Sequence, residues 1–387
     1  MQRIYLDYAA TTPPHPEVVE AMQPYLTEKF GNPSSLHSFG QEARKAVEEA
    51  RAKVADLIKA RPKEIVFTSG GTESNNFALF GTLSANKEKR NHIITSKIEH
   101  HAILEPCRYL EKNGFEVTYL DVDKDGIINP EDVIKATTDK TALVSIMHAN
   151  NEIGSIQPIR EIGQFTGKKG IYLHSDAVQT VGEIDISVNN LWVDLLSASG
   201  HKFYGPKGVG FLFIRSGTKM HKYLFGGEQE KNRRASTENV AGIVGLGKAC
   251  EIAQKELFNW TTDHTIMRNK LIKGLFNKIP DIQLNGHPEK RLPKNADFTI
   301  KYVEGEAMLL KLDLEGIAVS TGSACSSGTL EPSHVLTAIG VSPEDAHGSI
   351  RFSLGRLTKP EELDHVINIF PDIVKNLRKM SPLSGRK

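Results

Sequence analysis

The sequence has little cysteine, little tryptophan, no excess of either charge and no long apolar run. Cys107, Cys250 and Cys325 are its three cysteines in 387 residues, widely separated and without a CxxC pair. So scattered and odd a set gives neither a disulfide framework nor a cysteine zinc site, and it suits a reducing compartment. The 48 Lys and Arg stand against 47 Asp and Glu, a formal charge of +1. That balance excludes a broad electrostatic grip on nucleic acid or on an anionic membrane. No stretch approaches the roughly 18 uninterrupted apolar residues of a membrane span. The opening MQRIYLDYAATTPP carries acidic Asp7 and lacks the apolar core of a signal peptide. The chain reads as soluble, unexported and cytoplasmic.

At roughly 150 residues per domain, this length predicts two or three domains with a sizeable core. From Ser38 to Ala60, Ala43, Ala46, Val47, Ala50, Val54, Leu57 and Ile58 recur at helical spacing, opened by Ser38 and Gln41 in capping-box register. Short runs rich in β-formers follow: EIVF at 64–67, HIIT at 92–95, FEVTYL at 115–120, TALVSIM at 141–147, IYLH at 171–174 and DLLSAS at 194–199. Most are separated by enough chain for a crossover helix, the rhythm of an α/β domain with a mostly parallel sheet. GVGFLFIR at 208–215 comes too soon after its predecessor for such a crossover and is predicted to enter the sheet antiparallel. A helical region from Asn239 to Trp260 then gives way to strands at 298–303, 317–320 and 349–354 and helices at 306–312 and 360–379. This second pattern predicts a smaller α+β domain, divided from the first near residue 260.

In open α/β sheets, ligands bind outside the carboxyl ends of the strands, so the residues following each strand carry most information. After EIVF stands Thr68-Ser69-Gly70-Gly71-Thr72-Glu73-Ser74-Asn75-Asn76, which suits either a phosphate at a helix start or a plain glycine turn with hydroxyl caps. His100 and His101 follow HIIT, His148 and Asn150-Asn151-Glu152 follow SIM, and His174-Ser175-Asp176-Ala177-Val178-Gln179 complete the next strand end. Each has a bland reading as a helix cap or a satisfied polar residue, but several such clusters on one edge point to a site. Ser199-Gly200-His201-Lys202 then puts a lysine after a buried strand, which suits either an aldehyde cofactor held as a Schiff base or, taken without the other clusters, a plain solvated loop lysine. Asp176 is suited to a protonated pyridine nitrogen. In Ser320-Thr321-Gly322-Ser323-Ala324-Cys325-Ser326-Ser327-Gly328, the small and hydroxylated residues predict an exposed, mobile loop around a reactive thiol. Cys107 and Cys250 read as core hydrophobes. Arg351 suits a planar carboxylate or, equally, a surface salt bridge.

The segments YLDYAATTP, FGNPSSLH, TSGGTESNN, EHHAI, NNEIG, HSDAVQ, SGHKFYGPKG, STGSACSSG and RFSLGR, in this order from residue 5 to beyond residue 356, resemble the pyridoxal-phosphate-dependent cysteine desulfurases of the NifS/IscS type. The resemblance implies the fold type I, aspartate-aminotransferase-like architecture: a large domain over 15–260, and a small one from 1–14 and 261–387 that carries Cys325. It implies pyridoxal 5'-phosphate as cofactor, held by Lys202, with Asp176 at the pyridinium nitrogen and His100 stacked on the ring and assisting proton transfers. Gly71, Thr72, Ser199 and His201 hold the phosphate, Gly200 belongs to the cofactor site with them, Asn151 and Gln179 contact the ring hydroxyl and the substrate, and Arg351 takes the substrate carboxylate. Thr237 reaches the phosphate of the other subunit in a homodimer. L-cysteine becomes L-alanine while its sulfur passes to Cys325 as a persulfide, and then to iron–sulfur scaffold proteins or tRNA-thiolating sulfurtransferases. No metal site of its own is implied, although the Cys325 persulfide is suited to transient ligation of a cluster shared with a scaffold. Three departures stand out: Ser236 where the family usually has glycine, Gly71 where it often has alanine, and a second imidazole, His101, beside His100.

Other readings make different demands on the same residues. A selenocysteine lyase or an aminotransferase shares the fold, but an aminotransferase has no use for a nucleophilic thiol. A non-catalytic sulfur relay needs Cys325 without Lys202 and Asp176. A metal hydrolase built on His100, His101, His174 and Asp176 leaves Lys202 and the phosphate-type loop without a purpose.

Overall fold

Strands buried at nearly every position build the main sheet. In the computed structural model, which describes residues 3–321 and 332–380, a short first strand β1 (Ile4–Tyr5) precedes β2 (Ile65–Thr68), β3 (His92–Ser96), β4 (Glu116–Leu120), β5 (Thr141–Ser145), β6 (Tyr172–Asp176), β7 (Leu195–Ser199) and β8 (Gly210–Ile214). The last seven form one sheet in the order β2-β8-β7-β6-β5-β3-β4. Within each strand, successive apolar residues go to opposite faces: Val66, Ile93, Leu143 and Leu195 to one core cluster, Phe67, Ile94, Val144 and Leu196 to the other. A sheet covered on both faces needs such continuous apolar runs, which is why these strands stood out in the sequence. β3 through β7 pair in parallel, whereas β8 is antiparallel to both β7 and β2, as the short connection predicted.

His174 lies inside this sheet. Its Nδ1 meets Ser145 Oγ and its Nε2 meets Ser197 Oγ, both at 2.9 Å, so one imidazole ties β5, β6 and β7 together. Burial pushes it down to about 3, leaving a neutral ring whose two nitrogens are occupied. It is a structural residue, and the metal-hydrolase reading loses a ligand. Among the described residues no group of three His, Cys, Asp or Glu converges as a metal site.

The second core gathers around β9 (Ile282–Asn285), β10 (Asn295–Ile300) and β12 (Ser349–Ser353), an antiparallel sheet in the order β12-β10-β9. The run read at 317–320 is only the two-residue strand β11 (Ile317–Ala318), because its sole strand partner is the equally short, parallel β1. The helix Val240–Phe276 passes through residue 260 without a break. Its Ile243, Leu246 and Cys250 join the large core, and its Leu271 and Leu275 join the small one. The helix Ser38–Leu57 begins one residue earlier than its sequence cap implied. His37 is the N-cap, its Nδ1 accepting the Gly40 N–H at 3.4 Å, while Ser38 is already helical and Gln41 donates to Leu36 O.

A buried ion pair stitches the two cores together behind the lysine-bearing turn. Lys294 Nζ lies 2.7 Å from Glu183 Oε1, with both side chains almost wholly enclosed, and Lys294 also reaches Lys202 O at 3.5 Å. Burial pushes the Glu183 carboxyl up, but Lys294 and His264 outweigh it and hold the group below its usual range. Breaking such a pair strands a buried charge, whereas removing both partners does not. Lys294→Met is therefore expected to lower unfolding stability by about 3–5 kcal/mol, and Lys294→Met/Glu183→Leu to recover most of that loss in denaturant titrations. Equal losses in the two variants would contradict the pairing.

Candidate active site

The strand ends and the N-terminal segment enclose a cavity of about 330 Å³. At one side, β2 runs through Gly70, at φ +152°, into the helix Gly71–Asn86. The first N–H groups of a helix have no partner within it and face outward as an anion site. Gly71 and Thr72 line the cavity beside Ser199 and His201. A Cβ on Gly71 would come within 2.6 Å of Val178 Cγ2 and 3.7 Å of Ser199 Cβ. Glycine at this position is thus matched to a valine across the cavity.

Asp176 ends β6 and is anchored rather than loose. Its Oδ2 accepts from Asn75 Nδ2 at 2.6 Å and its Oδ1 from the Val178 N–H at 3.0 Å. Asn75 was passed over in the sequence; the only signal was its place one turn beyond Gly71, on the same helix. Across the cavity, His100 caps the helix His101–Lys112, with its Nδ1 accepting the Ala102 N–H at 3.0 Å. Burial lowers its pKa, as do Lys202 and His101, against the opposing pull of Asp176. The neutral ring whose Nδ1 lone pair is so engaged carries its proton on Nε2. His101 turns elsewhere, its ring 5.1 Å from that of His334, so His100 is the one of the two that lines the cavity. His148 is also structural, buried on Thr180 Oγ1 at 3.0 Å and pushed down to about 4.

Lys202 closes the single 3₁₀ turn Gly200–Lys202 that follows β7. Its Nζ donates to Ala9 O at 2.7 Å and Ala10 O at 2.8 Å. Gln179 Nε2 also donates to Ala9 O at 3.0 Å, and His201 Nδ1 lies 3.0 Å from Thr11 Oγ1. Burial pushes His201 down to about 4, with help from Lys202 and Lys207. Arg351 enters from β12, its Nη1 donating to Asn151 O at 2.8 Å and its Nη2 pairing with Asp7 Oδ1 at 2.9 Å. It is buried, which removes the surface-salt-bridge reading. Three polar atoms on lining residues have no partner among the described residues: Asn75 Oδ1, Gln179 Oε1 and Arg351 Nε.

Gly71, Thr72, His100, Asn151, Asp176, Gln179, Ser199, His201, Lys202 and Arg351 all line this cavity. Gly200 sits in the turn beneath it without lining it. Thr237 does not belong to it: it lines a separate cavity of about 190 Å³ with Arg234 and Ser236. Ser236 has φ +98°, in the left-handed region where glycine is at ease. Cys325 lies outside the described residues. Cys107 and Cys250 are buried, and desolvation pushes Cys107 up to about 12 and Cys250 higher still, so neither is a thiolate at neutral pH. The arrangement offers an anion cradle, a carboxylate for a cationic ring atom, an amine at Lys202 and a guanidinium for a carboxylate.

The sequence profile described as aminotransferase class-V matches residues 4–366. A cysteine desulfurase IscS of Dictyoglomus turgidum is 58% identical over 381 residues, covering 98% of this chain and 97% of that protein. The chain belongs to the class-V aminotransferases, among the cysteine desulfurases. A solved NifS-like protein superimposes with a TM-score of 0.92 at 39% identity, covering 97% of this chain and all of that one. SspA, solved in complex with cysteine, gives a TM-score of 0.80 at 37% identity, covering 91% of this chain and 99% of that one. The fold type I reading therefore stands, with its mostly parallel mixed sheet and smaller α+β part.

Contact between Gly71 and Val178 makes a specific prediction. Gly71→Ala is expected to destabilise the protein by about 1–3 kcal/mol through overpacking against a stiff, β-branched side chain. Gly71→Ala/Val178→Ala should restore most of the unfolding midpoint. A single variant as stable as the parent would show that the wall yields freely.

Proposed function

We propose that this cavity is the pyridoxal-phosphate site of a desulfurase that converts L-cysteine to L-alanine and hands the sulfur to Cys325. The observation that carries the reading is that Lys202, Asp176 and Arg351, from three separate elements, face one cavity with a helix N-terminus at its side. The residues present fit the cofactor. Gly71, Thr72, Ser199 and His201 suit its phosphate, Asp176 its ring nitrogen, and the unpartnered amide oxygen of Gln179 its ring hydroxyl. Asn151 completes that ring-hydroxyl and substrate contact. Bound there, pyridoxal phosphate supplies an electron sink for the carbanion formed at the substrate's α-carbon.

Lys202 Nζ is the amine that would hold the cofactor and the base that would move the substrate's α-proton. Arg351 holds the substrate carboxylate through a planar fork. His100 would stack on the cofactor ring, and it presents Nε2–H as a hydrogen-bond donor. To take up a proton it must release the Ala102 amide from Nδ1, so its base function is coupled to the first turn of its helix. The Cys325 thiolate attacks the substrate sulfur, and an S–S bond forms as the Cβ–S bond breaks. The bonding electrons return to carbon, protons from solvent-exchangeable groups complete alanine, and Cys325 is left as a persulfide. Support for this acceptor comes from the chain path. Ser320, five positions before Cys325 in the sequence, exchanges backbone hydrogen bonds with Arg351.

The protein acts as a homodimer in this reading, as the family resemblance implies, with Thr237, which lies outside the Lys202 cavity of its own chain, reaching the phosphate of the second copy. Exposed Phe30, Leu36, Phe39 and Phe225 suit such an association. The sulfur then leaves for iron–sulfur scaffold proteins or sulfurtransferases of tRNA thiolation, in the cytoplasm. Among the described residues no helix is long and apolar enough to cross a membrane.

Lys202→Ala is expected to abolish the cofactor's visible absorbance in the protein and to cut alanine formation by about 10³-fold or more. Cys325→Ser should keep the absorbance and its response to L-cysteine while yielding no persulfide. Appreciable alanine from the first variant, or unchanged sulfide release from the second, would refute the assignment.

A further inference from the structure

The guanidinium of Arg351 already has a carboxylate on it. Arg351 is enclosed, with its side chain 4% exposed, and its partner Asp7, in the N-terminal segment, is 19% exposed. A guanidinium offers a carboxylate two forks, Nε with Nη2 or Nη1 with Nη2, and both include Nη2. Asp7 Oδ1 accepts from Nη2 at 2.9 Å. Asn151 O occupies Nη1, and Nε is buried without a partner among the described residues. The fork left for a second carboxylate is therefore Nε with Nη2, whose two N–H groups place Asp7 and that carboxylate on the same nitrogen and the same positive charge.

Asp7 is held firmly in this place. Its own carbonyl accepts from Tyr5 Oη at 3.0 Å and from the Ala10 N–H at 3.0 Å, and its backbone bridges to Ser353 on the strand that carries Arg351. Two residues further on, Ala9 O accepts from both Lys202 and Gln179. Two other acids lie near Arg351, but neither touches it. Asp297, its cross-strand neighbour, is pushed up to about 7 by burial, and Glu152, bound to Ser333, is pushed up to about 8 for the same reason. Asp7 is the carboxylate in contact.

We infer that Asp7 is a positioning residue that sets the affinity for the substrate carboxylate: it aims Arg351 into the cavity and competes at Nη2 for the guanidinium, so that amino acids bind less tightly than an unpaired Arg351 would hold them. The inference rests on the reading of Arg351 as the carboxylate site. Asp7→Asn keeps a hydrogen-bond acceptor and removes the competing charge.

The test is a titration of the pyridoxal-phosphate-loaded protein with L-alanine and, separately, with L-alanine methyl ester, following the visible spectrum. Asp7→Asn is expected to tighten L-alanine binding by about tenfold, the equivalent of one displaced ion-pair contact, and to leave the ester unchanged. Asp7→Ser serves as a second variant with the same expectation if the first does not fold. Arg351→Gln separates the two claims. If it leaves L-alanine affinity unchanged, the carboxylate reading itself fails. If it weakens L-alanine alone while Asp7→Asn leaves affinity unchanged or lowers it, the competition is overturned and Asp7 only supports the arginine. An equal change for acid and ester in Asp7→Asn would mark a general loosening of the cavity and also overturn it.

Discussion

Because β5, β6 and β7 run parallel with nearly every position buried, their backbone ladders end together, and the polar residues that follow each strand are delivered to one edge. Asn151, Asp176 and Lys202 come from three such ends. The His174 imidazole, bonded to a serine on either side, fixes the relative register of these strands. A slip by one residue would turn every side chain to the other face, so this neutral ring protects the geometry of the site without entering it.

The N-terminal segment is the second structural requirement. Its main-chain carbonyls hold Lys202 and Gln179, Thr11 meets His201, and Asp7 meets Arg351. Four site residues from the two cores are thus referenced to a stretch of five residues, 7–11. Behind it, the Lys294–Glu183 pair joins the same cores under the Lys202 turn. Positioning here depends on buried polar contacts between distant parts of the chain, and each such contact is costly to leave half made.

What could be read from the sequence follows from these physical origins. Strands covered on both faces write continuous apolar runs, and the antiparallel β8 betrayed itself by its short connection. The resemblance supplied roles for Lys202, Asp176 and Arg351 that spacing alone left open. By contrast, β9 was not legible, because IQLN is half exposed and carries few β-formers. The helix through residue 260 was not, because its two halves face different cores and no single apolar stripe runs along it. His37 replaced Ser38 as a helix cap because its ring nitrogen reached the free Gly40 amide. Asn75 and Asp7 act through partners 101 and 344 residues away, and no local pattern marks such a contact.

The central claim is that the edge formed by these strand ends holds a cofactor on Lys202 and uses it to take sulfur from cysteine. The most direct test is the visible spectrum of the purified, pyridoxal-phosphate-supplemented protein before and after L-cysteine, with alanine measured in the same sample. The account predicts an absorbance band that shifts on addition of cysteine, with alanine formed as it does. A protein that takes up no band would contradict the reading of Lys202, and a band that yields no alanine would move the same fold and cofactor to a different chemistry.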